Sequence, residues 1–191
     1  MNLLAHSYLS FSDGQIVGNM IADYVRNADR EKLPVEVQKG IIIHREIDTY
    51  TDQHPVTHKA KKVFQPLVRL YSGAFVDVSM DYFLANDTAI HNETDWKKHT
   101  KHVYNTLWNY EEILPEKFLH ILPKMEADDW LFNYRYDWGI KYSLQNVLNK
   151  ARYLEKDIPV FNSFMEEKDF LKECYDEFFP DLKNHIKNLK V

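Results

Sequence analysis

Residues 75–84, Phe-Val-Asp-Val-Ser-Met-Asp-Tyr-Phe-Leu, are apolar on nearly every side of a helix yet carry two aspartates four positions apart. A helix that is hydrophobic all round belongs in an interior, so other helices must surround it. An ionised carboxylate in that setting costs several kcal/mol unless it is paired, hydrogen-bonded or bound to metal. The fold must therefore compensate Asp77 and Asp81 from outside their own helix. A second stretch repeats the spacing. In Ile41-Ile-Ile-His44-Arg-Glu-Ile-Asp48 the buried stripe Val37, Ile41, His44, Asp48 steps by four, three and four, so a histidine and an aspartate continue a core face.

His6, Asp23 and Asp52 also fall where the helical pattern expects core. Two compensations are open for these groups. One is ordinary pairing: Arg45 beside Asp48, a lysine or arginine beside Asp77, or Thr51-Asp52 ending its helix. The other is a divalent cation held by imidazole and carboxylate from facing helices, an established way to build a metal site in a helical core. Polar residues on core faces of at least three helices favour a metal or catalytic centre. With nitrogen and oxygen donors and no cysteine, the metals expected are Mn²⁺, Fe²⁺, Zn²⁺ or Mg²⁺. Such an ion acidifies water and polarises phosphoryl oxygen, which is the chemistry of phosphoester hydrolysis.

A chain of 191 residues, 45% hydrophobic and 14% aromatic, is expected to form one globular domain over residues 1–191. Only five glycines among long apolar-periodic stretches, with weak strand signals, predict an all-α fold. The single cysteine, Cys174, excludes an internal disulfide and fits a reducing, cytoplasmic compartment. No basic leader and no apolar run long enough to cross a bilayer are present. A net charge of −5 argues against a broad nucleic-acid-binding surface, leaving local basic groups at Lys59, Lys61 and Lys62 and at Lys97, Lys98 and Lys101.

Turn and cap signals divide the chain into helices over about residues 2–9, 15–25, 34–50, 55–70, 74–85 and 94–110. A short helix is expected between Pro115 and Pro123, residues 125–130 read as a connection, and a helix starts at Leu131 or Tyr136 and reaches residue 153. One or two terminal helices follow over 166–189, interrupted at Pro180. His91, His99, His102, His120 and His185 lie in surface-patterned segments and read as bystanders. Asp128-Asp129 reads as a cap, and Arg135 and Arg152 as candidate phosphate forks that solvent exposure would equally explain.

Five motifs, in order, carry a resemblance: Asn2-Leu-Leu-Ala-His6, Gly18-Asn-Met-Ile-Ala-Asp23, Gly40-Ile-Ile-Ile-His44-Arg-Glu-Ile-Asp48-Thr-Tyr-Thr51-Asp52, Asp77-Val-Ser-Met-Asp81-Tyr-Phe-Leu84 and Met125-Glu-Ala-Asp-Asp-Trp130 with Tyr134. Over about residues 1–155 the chain resembles the acyl carrier protein phosphodiesterase (holo-acyl-carrier-protein hydrolase) family; residues 156–191 are expected to be C-terminal helices outside the motifs. The resemblance implies a helical fold distantly similar to HD-domain phosphohydrolases and dependence on a divalent metal, typically Mn²⁺. It also implies hydrolysis of the phosphodiester joining 4′-phosphopantetheine to a serine of acyl carrier protein. Carried over by position, it makes Asp23, His44, Asp48 and Asp81 the expected metal ligands, with His6, Asp52 and Asp77 as neighbours or acid–base groups. Two departures stand out: Tyr82 occupies a position where such proteins commonly carry histidine, and Thr88 lies near a common tryptophan. The implied partner is acidic, so one of the two lysine groups, with Arg26 or Arg69, is expected to form the docking surface. The alternatives are a metal-dependent hydrolase of another small phosphoester and a non-catalytic helical protein that binds carrier protein or a ligand.

Overall fold

A computed structural model describes residues 1–190 and shows an all-α architecture, with twelve α-helices and short 3₁₀ turns among the described residues. In order these are α1 (Leu3–Tyr8), α2 (Asp13–Ile21), α3 (Val35–Gln53), α4 (Pro55–Val68), α5 (Ser72–Asn86) and α6 (Glu93–Asn109). After them come α7 (Glu116–Leu119), α8 (Leu122–Ala127), α9 (Trp130–Asn133), α10 (Asp137–Lys150), α11 (Val160–Glu166) and α12 (Lys168–Lys187). None is long and apolar enough to cross a membrane.

The all-round apolar helix α5 is the core of the molecule. Phe75, Val76, Met80 and Leu84 are fully buried, and α1, α4, α10 and α12 pack around it. Local signals set its neighbours. Asn2 accepts from the Leu3 N–H and Ser12 from the Gln15 N–H, starting α1 and α2 as N-caps. Pro55 opens α4 at a position where the missing N–H has no helical partner to lose. α6 is capped by Asn92, whose side chain accepts from Asp95 N–H.

The closest pairing is α2 against α3. Gly18 and Gly40 face each other's main chain, so that a Cβ on Gly18 would collide with the Val37 carbonyl oxygen and one on Gly40 with the carbonyl of Gln15. The two helices therefore meet backbone to backbone. That approach carries Asn19 of α2 to His44 of α3.

Three sequence expectations are corrected. Residues 125–130 are not simply a connection, because α8 covers Leu122–Ala127 and buries Leu122 and Met125. The helix expected to reach residue 153 ends at Lys150; of its two expected starts the fold takes Tyr136, which caps α10 in extended backbone and separates it from α9. Pro180 does not interrupt α12. Leu171, Cys174, Tyr175 and Phe178 are buried before it, and Leu182 and Ile186 after it. Pro180 and Asp176 are both exposed, so the carbonyl that loses its helical donor faces water. Burial of the whole stripe outweighs one missing hydrogen bond.

Candidate metal centre

His6 comes from the last turn of α1, His44 and Asp48 from α3, and Asp23 from the 3₁₀ turn Ala22–Tyr24 that follows α2. The two imidazoles stack with centroids 4.1 Å apart. Each turns its Nε2 toward one carboxylate: Asp48 Oδ1 lies 3.2 Å from His6 Nε2, and Asp48 Oδ2 lies 3.2 Å from His44 Nε2. Asp23 Oδ1 is 3.4 Å from His44 Nε2. His6, His44 and Asp48 each offer a ligand atom, and these atoms lie within 4.8 Å of one another.

Asn19 orients both rings. Its Nδ2 donates to the His6 carbonyl oxygen at 2.8 Å and to Ser10 Oγ at 3.0 Å, so its Oδ1 is the acceptor for His6 Nδ1–H at 2.8 Å. Its main-chain carbonyl accepts from His44 Nδ1–H, also at 2.8 Å. Both Nδ1 atoms must carry protons, which leaves both Nε2 atoms as the metal-capable positions. Imidazoles held by their second nitrogen are typical of metal sites. Sequence reading passed over Asn19, because a neutral amide in an apolar helix carries no charge signal; its only mark was a buried amide beside Gly18.

The electrostatics match this geometry. Burial pulls the His44 pKa down, but hydrogen bonds to Asp23 and Asp48 prevail and push it up to about 9. Burial raises the Asp48 carboxyl, and the two imidazoles overcome that effect and hold it well below the usual carboxylate range. Burial lowers His6. Asp23 is lowered, chiefly by its hydrogen bond to His44. A cation between these groups would replace the His44 proton as the compensating charge. The donor set therefore fits a divalent ion of the nitrogen- and oxygen-preferring kind.

The other sequence candidates are placed differently. Asp81 is completely buried and belongs neither to the His6–His44–Asp48 group nor to the cavity lining beside it. Its Oδ1 accepts from Asn2 N–H at 3.0 Å and its Oδ2 from Leu4 N–H at 2.7 Å, with Ala5 N–H at 3.4 Å. Asp81 was expected among the metal ligands; in this fold the first turn of α1 supplies three N–H donors to its oxygens. Burial raises its carboxyl to about 7 against those donors. Asp81 anchors the short helix that presents His6, and so acts on the site at one remove. Asp77, partly exposed, pairs through Oδ1 with the Met1 amine at 2.8 Å, and burial raises its pKa. Asp52 is exposed and bonded to Lys61 at 2.8 Å. Both line a cavity of about 380 Å³ whose floor is the His6–His44–Asp48 cluster.

Tyr82 lies outside the cluster, its hydroxyl donating to Asp137 of α10 at 2.9 Å. The sequence departure there leaves the site residues untouched. His99 does not line the cavity, but it is not at the surface either. It lies partly buried, 2.9 Å from Ser7 Oγ, and burial lowers its pKa to about 4. Arg135 and Arg152 lie over the rings of Phe132 and Tyr153, away from the cavity. Asp129 adopts a left-handed backbone (φ 42°) as the residue before α9 and does not line the cavity.

A family model described as acyl carrier protein phosphodiesterase matches residues 1–182. The chain belongs to that family. The match runs well into α12, past the last of the recognisable motifs. Similar proteins include one named acyl carrier protein phosphodiesterase from Enterobacter sp. (strain 638), 27% identical over 193 residues and covering all of both chains. Another of that name from Yersinia pestis is 26% identical, again over the full length of both. One from Salmonella paratyphi A is 27% identical over 182 residues, 94% of each chain. No solved structure matches the chain, and the likeness to HD-domain phosphohydrolases rests on the family resemblance.

Proposed function

We propose that the protein is a divalent-metal-dependent phosphodiesterase that cleaves 4′-phosphopantetheine from a serine of acyl carrier protein, giving apo carrier protein and free 4′-phosphopantetheine. The observation that carries this reading is the pair of imidazole Nε2 atoms, locked by Asn19 and converging on Asp48 at an open cavity. The names of its full-length relatives supply the substrate.

His6, His44 and Asp48, with Asp23 beside them, would hold the ion, and Mn²⁺ is the favoured one, with Fe²⁺, Zn²⁺ and Mg²⁺ as competitors. When bound, a divalent cation supplies polarisation of a phosphoryl oxygen and a more acidic neighbouring water. Asp77 faces the same cavity, and its raised pKa suits a carboxyl that takes a proton from water and returns one to the departing serine oxygen. Asn19 fixes the imidazoles, and Asp81 fixes the helix that carries His6. The reading puts the protein in the cytoplasm, acting on the acidic carrier proteins of fatty acid biosynthesis.

The test is intact-mass spectrometry of holo carrier protein incubated with the chain, with Mn²⁺ and with chelator. Loss of the phosphopantetheine mass is expected with Mn²⁺ only, and is expected to vanish in Asp48→Ala. If the carrier protein stays intact while the chain binds Mn²⁺, the substrate is wrong and the metal centre stands.

A further inference from the structure

A second cavity, of about 530 Å³, opens beside the metal centre. Its walls are the aromatics Trp130, Tyr134, Trp138 and Tyr142 and the amides Asn133 and Asn146. Leu3, Val78, Val147 and Lys150 border both cavities, so the two form one continuous groove. Along α10 the lining residues Trp138, Tyr142, Asn146 and Lys150 recur every four positions and form a single stripe. At 1.5 Å per residue the stripe is about 18 Å long. It begins at a solvent-exposed indole and ends at an ammonium group beside the His–Asp cluster. Lys150 makes no ion pair among the described residues and is the only lysine or arginine lining either cavity.

We infer that this aromatic groove is the subsite for the pantetheine arm of the substrate, with Lys150 at its threshold binding the phosphoryl group. The inference rests on the phosphodiesterase reading and deepens it. The order of chemistry along the stripe matches the order along the arm. A phosphate at one end meets an ammonium, the amides in the middle meet Asn146 and Asn133, and the thiol end runs out between Tyr142 and Trp138. An extended amide chain of this kind spans about 15 Å by the reach of an extended backbone, comparable to the stripe. Aromatic walls with a few placed polar groups are what a site for such a chain requires. Trp138 is 60% exposed and Tyr142 48% exposed, so neither is needed to fill the core.

The test uses the full chain and its Trp138→Ala/Tyr142→Ala variant on two diesters that share the metal centre. One is holo carrier protein, and the other is bis(4-nitrophenyl) phosphate, which has no arm. The variant is expected to lose about tenfold to a hundredfold in kcat/KM on holo carrier protein, with the aryl diester hydrolysed as before. Equal loss on both substrates, or loss on neither, overturns the subsite. Pantetheine itself, titrated into the wild-type chain and followed by tryptophan fluorescence, is expected to bind saturably at millimolar concentration and not to the variant. Absence of pantetheine binding to the wild type overturns the inference, as does weaker binding of apo carrier protein to the variant, which would assign these rings to the protein–protein contact. Pantetheine binding without cleavage of holo carrier protein would instead remove the proposed reaction and leave the subsite.

Discussion

Asn19 ties two metal-capable histidines through two different groups, its side-chain amide and its main-chain carbonyl. Asn19→Ala keeps the carbonyl bond to His44 and removes the one to His6, leaving a buried Nδ1–H unpaired. Losing such a partner typically costs ten- to a hundredfold in metal affinity. We expect a drop of that size for Mn²⁺, measured by titration calorimetry, with His44 still held. A second residue-scale expectation concerns pH. Burial lowers His99 from 6.5 to about 4 in the folded chain, so between those values the unfolded chain binds more protons. Stability from this group is complete above pH 6.5 and falls as the pH drops toward 4. Relative to His99→Gln, the parent should lose on the order of 2 kcal/mol between pH 7 and 4 in urea unfolding. An unchanged difference across that range would contradict the burial argument.

At the scale of elements, the pattern of α3 was legible because its polar positions interrupt an apolar stripe at fixed steps, and His44 and Asp48 do lie together. For Asp81 the same reasoning stops short. A buried carboxylate announces that it needs compensation, but its sequence cannot say whether the partner is a cation or the main-chain N–H groups of a helix 77 residues away. The resemblance offers His6 as a neighbour or acid–base group, and α1, only six residues long, has no periodicity to aim its side chain; the fold sets its Nε2 beside Asp48. Proline was over-read in α12, where exposure at Pro180 and Asp176 lets water satisfy what the helix cannot. Pro180→Ala should therefore restore one helical hydrogen bond. With the unfolded-state effect of proline working against it, we expect a gain of about 1–2 kcal/mol, seen as a higher midpoint in thermal unfolding.

For the whole molecule the question is how a chain of net charge −5 meets an acidic partner. Much of the surface charge is already paired. Lys97 and Lys98 are matched with Glu93 and Asp95 on their own helix, and Lys59 lies 3.9 Å from Glu177. Lys61 bonds to Asp52 at the rim of the cavity over the His–Asp cluster, so on the proposed reading the α4 group is the basic surface beside the site. Within that group Lys62 is exposed and makes no ion pair among the described residues, whereas Lys59 and Lys61 are paired. Lys62→Glu should raise KM for holo carrier protein several-fold at low salt, and the difference should shrink as salt is added. A KM indifferent to both would move the docking surface elsewhere. Metal should also act on the entire fold: Mn²⁺ bound only by the native state should raise the thermal midpoint of the wild type and leave His44→Ala unmoved.

The main-chain contact between α2 and α3 has a consequence for anyone who redesigns this protein. Gly18 and Gly40 let the two helices rest on each other's backbone, so the gauge between Asn19 and His44 is cut into the polypeptide itself and not into the side chains that fill the interior. Aliphatic residues around α5 can be exchanged for others of similar volume without re-aiming the imidazole, while a single methyl group at either glycine would widen the gauge and detune the ligands.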